Sequence, residues 1–367
     1  MIAVISCSHY ADDERVYHKQ IQSLLKDGCH ISYFTRDNSS VVHHENLSHT
    51  KYDKQHHLKK YIKDVCDKLN SLDDLTHVQI HESDLLPILK WVKTHFPNVV
   101  TVYDVHEHMD SLYRTFSTRS KPIKELAISL RNRRELSHLP FVDHIILANP
   151  SFSDSIYDRV TASKTVIENF PELKYYSDQE RNMAKNHQLI YHGHLGPERG
   201  IEDLVKAMKR VHQDYPETSL TLIGTFRTKA FEQKIHNLIS TLESKSYIQI
   251  KSQIPHDKIW NELSAHQIGI IPFRENPLTM NNVPTKLFEM MSAGLIIVAS
   301  QVPPIEYYVS DSIYWSKPGD VESLSKALKT AICSGTSSEM IQSNYQLIKS
   351  KYNWSNIEDK FLSIFKV

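Results

Sequence analysis

The sequence predicts an α/β fold of two Rossmann-like domains facing each other across a cleft, and three observations carry that prediction. Short apolar runs rich in β-branched residues alternate with helical patterns from the first residue onward, the sequence form of a parallel sheet covered by helices. The alternation breaks at a proline near Asn169-Phe170-Pro171-Glu172 and then runs a second time. At 367 residues the chain exceeds one average domain, and its length points to two or three.

In the first half, IAVIS at 2–6 reads as a strand, followed by a helix near 13–27 that Gly28 ends. HISYF at 30–34, VQIH at 78–81, VVTVY at 99–103, HIILA at 144–148 and TVIEN at 165–169 continue the series. The first domain therefore covers 1–170. The histidine doublets His43-His44 and His56-His57 sit in a polar stretch without H-E-x-x-H spacing, which predicts a solvated loop rather than a metal site.

A polar stretch, YYSDQERNMAKNHQ at 175–188, opens the second half. LIYHG at 189–193, SLTLIG at 219–224, YIQIK at 247–251, IGIIPF at 268–273, LIIVAS at 295–300 and SIYW at 312–315 then alternate with helices, giving a second domain over 171–350. From about Ser337 the chain is helical, and Trp354, Ile357, Phe361 and Ile364 mark one apolar face. Such a face needs something to pack on, and the helix 351–367 is expected to cross back to the first domain.

Composition narrows the function classes. Lys plus Arg equals Asp plus Glu at 43 each, so no global field draws the chain to nucleic acid, and any anionic ligand must be held locally. Cys7, Cys29, Cys66 and Cys333 are scattered with no C-x-x-C pair, which fits free thiols in a reducing, cytoplasmic setting. No signal peptide and no 18-residue apolar run is visible.

The strongest local signal is the segment from Asn281 to Leu295, NNVPTKLFEMMSAGL, which reads as loop, helix and turn between two strands. Pro284 suits a first helical turn and Gly294 a C-terminal cap. The N–H groups around Thr285 to Leu287 would then face the cleft as phosphate-binding donors, with Lys286 adding a full charge. Glu289 offers a carboxylate to the vicinal hydroxyls of a ribose; a helix carboxylate that merely complements the dipole is the equal alternative.

At 190–200, IYHGHLGPERG runs from strand to helix, so that Gly193 lets backbone approach a ligand and Arg199 presents its planar fork to a diphosphate. Asp104-Val105-His106-Glu107 follows VVTVY at a carboxyl strand end, where His106 either meets a sugar hydroxyl or carries a proton, or caps structure. The helix region 119–136 sets Ile123, Leu126, Ala127 and Leu130 beside Lys121, Lys124, Arg131, Arg133 and Arg134. This is either a peripheral contact with an anionic membrane or a domain helix with a solvated basic face.

Taken in order, the strand-end DVHE, the G-x-L-x-x-x-R-G turn and P-x-K-x-x-E-x-x-x-A-G resemble glycosyltransferase family four. Asp13-Glu14-Arg15-Val16, VIENFPE and the tail YNWSNIEDKFLSIF extend the resemblance over nearly the whole chain. It implies the B-type glycosyltransferase fold, a nucleotide-diphosphate sugar donor (a UDP-sugar favoured) in the second domain, and retention of anomeric configuration. The acceptor, a glycan or a lipid-linked glycan of cell-surface polysaccharide assembly, would then bind the first domain. Glu289 corresponds to the ribose-binding second glutamate of the family's pair. The first glutamate is Asn281 here, and the family's usual arginine after the glycine of the first turn is His194. Both are expected at the donor, with Arg199 the surer diphosphate partner.

On this reading His106, Arg199 and Lys286 serve catalysis, while Gly193, His194, Asn281, Pro284, Thr285 and Glu289 bind the donor. The departing nucleoside diphosphate is stabilised by cations and a helix start. No Asp-x-Asp occurs, so neither a metal nor another cofactor is expected. A nucleotide-sugar epimerase of the same fold and a non-catalytic scaffold of a polysaccharide-assembly complex are the alternatives. A dinucleotide oxidoreductase is disfavoured because Ser8-His9-Tyr10-Ala11, not a glycine fingerprint, follows IAVIS.

Overall fold

The computed structural model describes residues 1–106, 108–150, 152–173, 187–255, 258–334 and 338–366. Glu107, Ser337 and most of the polar stretch 175–188 lie outside the described residues. The chain divides into two units, Met1–Asn169 together with Ile357–Val367, and Phe170–Asn356.

The first unit is built on seven strands: β1 (Ile2–Ser6), β2 (Ile31–Thr35), β3 (Leu47–Lys51), β4 (His77–Ile80), β5 (Val100–Val105), β6 (His144–Leu147) and β7 (Ser163–Val166). Every pairing is parallel, in the order β3-β2-β1-β4-β5-β6-β7. All five residues of β1 and of β2 are buried, as helices on both faces of a parallel sheet require. The strand order reverses at β1, which opens a crevice at the carboxyl ends of β1 and β4.

Two elements depart from the sequence reading. β3 lies between the two histidine doublets, within the stretch expected to be a solvated loop. Its residues, LSHTK, include one apolar side chain, because an edge strand needs ladder hydrogen bonds more than burial. His49 fixes it to β2, its ring stacked on Tyr33 at 5.0 Å and its Nε2 2.8 Å from Thr35 Oγ1. The helix after β1 begins as a π-helix over Glu14–Ile21 and becomes α-helical at Gln22–Lys26. Asp13 caps it by accepting from the N–H groups of Arg15 and Val16.

The C-terminal segment of the first unit is held at three points. Lys360 Nζ donates to Val166 O at 2.9 Å, Lys26 Nζ meets Glu358 at 3.4 Å, and Phe365 packs on His77 at 5.3 Å.

The second unit carries six parallel strands: β8 (Gln188–His192), β9 (Ser219–Ile223), β10 (Ile248–Lys251), β11 (Ile268–Ile271), β12 (Ile296–Ser300) and β13 (Tyr314–Ser316). Their order, β10-β9-β8-β11-β12-β13, reverses at β8. The helix Thr285–Ser292 leads to a left-handed Gly294, φ 65°. Gly294 N–H donates to Met291 O and Leu295 N–H to Met290 O, the paired bonds of a Schellman stop. No described helix is long and apolar enough to cross a membrane.

Candidate functional site

Two polar clusters occupy the carboxyl ends of the strands at the two order reversals. In the second unit, β8 ends in His192 and turns through Gly193, φ 109°. A Cβ on Gly193 would stand 2.9 Å from Lys286 Nζ, so the missing side chain is what lets the lysine lie across the turn. Lys286 is the second residue of the helix Thr285–Ser292. Its ammonium donates to Tyr191 Oη at 2.9 Å and stands 4.1 Å above the Tyr191 ring and 5.5 Å from the Phe273 ring. Burial, with Arg199 adding repulsion, holds its pKa well below the usual lysine range.

Arg199 reaches the same place from the turn after β8. Its guanidinium lies 4.8 Å from the Phe273 ring, so two cations share one aromatic surface. Glu198, buried beneath, meets Arg227 at 3.3 Å and Arg199 at 3.8 Å. Gly200 permits this turn, since at φ 71° a Cβ would run into Pro272 O. A cation-rich surface beside a helix start is suited to an anion with two or more charges.

The helix start differs in detail from the sequence reading. Pro284 is the N-cap, not a residue of the first turn, and Leu287 N–H turns back to Pro284 O at 3.0 Å. Thr285 and Lys286 therefore supply the N–H groups that the helix start offers. Glu289 is the fifth helical residue, 7% exposed, with its carboxylate 3.3 Å from His192 Nε2. His194 keeps an exposed edge, while the protein packed around the rest of its ring, and then Arg227, Arg199 and Lys286, lower its pKa and keep it neutral beside the cations. Asn281 donates its amide to Pro277 O at 2.8 Å, which closes its own loop.

In the first unit, Asp104 lies fully buried at the end of β5. Arg15 clasps it through Nε at 3.0 Å and Nη2 at 2.8 Å, while Gln20 donates at 2.7 Å. His106 Nε2 stands 3.4 Å from the same carboxylate and 2.9 Å from His81 Nδ1. Burial lowers the His106 pKa to about 4 against the opposing pull of Asp104, so its imidazole is neutral at pH 7. Its ring lies 4.3 Å from that of His9, which follows β1. Glu82, after β4, accepts from Ser6, Cys7 and Ser8 and stands 2.9 Å from His9 Nδ1. Burial disfavours the His9 cation, but Glu82 outweighs it and raises the pKa.

His81, Asp104 and His106 are the one group of metal-ligand type among the described residues. Their chemistry does not fit a cation: the Arg15 fork and Gln20 already take the Asp104 oxygens, and a fixed guanidinium would repel the ion.

Sequence reasoning had not singled out Tyr191, His192, Arg227 or Phe273 around Lys286, nor His9, His81 and Glu82 around His106. All of them sit at or within a few residues of a strand's carboxyl end, a position that could have flagged them.

Residues 175–348 match the family described as Glycosyl transferases group 1. The chain is 24% identical over 321 residues to a lipopolysaccharide 1,2-N-acetylglucosaminetransferase of Salmonella typhimurium, covering 82% of this chain and 80% of that one. Its fold is similar to sucrose-phosphate synthase of Thermosynechococcus elongatus, with a TM-score of 0.77 at 16% identity over 99% and 98% of the two chains. It is also similar to Anabaena Alr3699/HepE in complex with UDP, with a TM-score of 0.75 at 13% identity over 99% of each chain.

Proposed function

Because this chain is a glycosyltransferase family four-like protein of the B-type fold, we propose that it transfers a sugar, with retention, from a UDP-sugar to a glycan or lipid-linked acceptor. Lys286 and Arg199 over one aromatic ring, at the start of a helix and the end of β8, carry this reading. Together they oppose the charge that develops on a departing diphosphate. Glu289 takes the ribose hydroxyls, with His192 orienting its carboxylate. Pro284 and Thr285 present the helix start, Gly193 admits the phosphates, and His194 and Asn281 border the sugar. His106, neutral and braced by Asp104 and His81, meets a sugar hydroxyl or carries a proton at the first unit. No metal or cofactor enters.

The first unit takes the acceptor and the second the donor, in cell-surface polysaccharide assembly on the cytoplasmic side. A relative that glycosylates lipopolysaccharide, one similar fold bound to UDP, and the free thiols of Cys7, Cys29, Cys66 and Cys333 support these points. Thermal stabilisation tests the donor site: UDP should raise the melting temperature far more than UMP, because the cations address a diphosphate. Equal shifts would remove the diphosphate from the site. Product analysis with the stabilising UDP-sugar then separates transfer, which needs an acceptor, from isomerisation of the donor alone.

A further inference from the structure

The helix Lys121–Leu136 is inside out. Its buried side chains are Ile128 and Glu135, and its inner side is latched by polar contacts to the helix Met109–Phe116. Lys124 donates to Arg114 O at 3.1 Å, Arg114 pairs with Glu125 at 2.9 Å, and Arg131 and Asn132 donate to Asp110 at 3.2 and 2.8 Å. Ile123, Leu126 and Leu130, three and four residues apart on one stripe, face the solvent at 49%, 62% and 57% exposure. A domain helix with a solvated basic face would show the opposite arrangement, its aliphatic residues inward.

The rim of this stripe is cationic. Lys121, Arg133 and Arg134 are exposed on the helix and Arg119 just before it. Of the helix's two carboxylates, Glu135 turns into the interior, and Glu125, at the surface, is neutralised in its pair with Arg114. Aliphatic side chains flanked by cations, with the one surface carboxylate of the helix tied to Arg114, match the interface of an anionic bilayer. There the apolar stripe enters the acyl boundary and the long basic side chains stay among phosphates.

We infer that the outward stripe Ile123–Leu126–Leu130, with Arg133 and Arg134 at its end, seats the first unit on an anionic lipid surface. The seating needs no nucleotide and no acceptor. It deepens the reading of a lipid-linked acceptor, since it holds the enzyme where such an acceptor resides.

Co-sedimentation of the 367-residue chain with vesicles tests it. Vesicles of equal parts phosphatidylcholine and phosphatidylglycerol should carry the protein down, and phosphatidylcholine alone should not. Replacing both arginines, Arg133→Gln with Arg134→Gln, should weaken partition about 30-fold at low salt, the effect expected of two charges near such a surface. Leu126→Ser with Leu130→Ser should abolish sedimentation at any salt. Both doubles should melt with the wild type, because the substituted side chains are exposed.

No sedimentation of the wild type, or equal sedimentation of the leucine double, overturns the proposal. So does a wild-type dimer that this double converts to monomer, which would make the stripe a contact between copies. Equal binding to neutral vesicles removes the anionic partner. Because the vesicles hold neither donor nor acceptor, each result is independent of whether sugar transfer is found.

Discussion

Lys286 Nζ lies 2.9 Å from the hydroxyl of Tyr191 and 4.1 Å above its ring, a buried ammonium satisfied by one neutral partner and an aromatic face. In the unliganded protein its charge is a cost. The unfolded chain keeps the lysine proton up to about pH 10.4, whereas the folded chain releases it at a lower pH. Between those two values the unfolded state binds more protons, so stability rises with pH. Lys286→Met should raise the neutral-pH melting temperature, flatten that rise and abolish the stabilisation by UDP. A variant that melts lower and still binds UDP would put the lysine in the scaffold.

The same shift makes donor binding pH-dependent. A diphosphate facing Lys286 restores its proton, so UDP affinity should fall as pH rises past the depressed value, by up to about tenfold per pH unit for one proton. Calorimetry in buffers of different ionisation enthalpy reads that proton directly; uptake of none contradicts the placement.

Glu289 and Arg199 are expected to fail differently. Glu289→Gln keeps the shape of a side chain 7% exposed and weakens bonds to hydroxyls present in ground and transition states alike. Donor KM should rise roughly tenfold with kcat little changed. Arg199→Ala removes a charge that the proposed function sets against a phosphate becoming more negative as the glycosidic bond breaks. Here kcat should fall roughly 10²-fold. A folded variant with wild-type constants, checked by circular dichroism, assigns that residue to structure.

Acid should strike the first unit. His106 titrates near 4 in the folded chain and near 6.5 unfolded, so the unfolded state binds more protons between those values. Stability is therefore lost as pH falls from 6.5 towards 4, and His106→Gln should flatten the loss. Asp104 adds a second effect: burial disfavours its charge, but Arg15 and His106 outweigh this and hold its pKa well below the usual range. Its contribution is present above about pH 3.9 and is lost below that. Asp104→Asn, which leaves Arg15 buried and unpaired, should cost about 3–5 kcal/mol in urea unfolding.

Turnover should survive EDTA. On the proposed reading Lys286 and Arg199 take the place of a bridging metal, and Asp104, of the metal-ligand type, is already held by Arg15. Activity lost in EDTA and regained with Mg²⁺ or Mn²⁺ overturns this.

Both sheets were legible as apolar runs because parallel strands buried on two faces leave continuous β-branched stretches. Twelve of those runs lie on strands, offset by up to three residues at their ends. β3 was not, since LSHTK pairs at an edge with almost no burial signal. The stop at Gly294 was readable because a left-handed cap demands a particular residue. The convergence on Phe273 was not, because Tyr191, Arg199, Phe273 and Lys286 meet across strand ends far apart in sequence. Periodicity reports which face of an element is buried, not which elements touch. The helix at 119–136 shows the same limit: its pattern is amphipathic whichever side faces in, and only the contacts to Asp110 and Arg114 fix the direction.

That Ile357–Val367 belongs to the same unit as β1 has a consequence for biosynthesis. The ribosome makes β1 to β7 first, yet Phe365, which covers His77, emerges only after the whole of Phe170–Asn356 has been translated. At roughly 5–20 residues per second the nascent first unit waits on the order of ten seconds or more without its final helix. Over that interval it exposes the apolar surface that Phe361 and Phe365 later cover, and nascent-chain chaperones have most to bind just then.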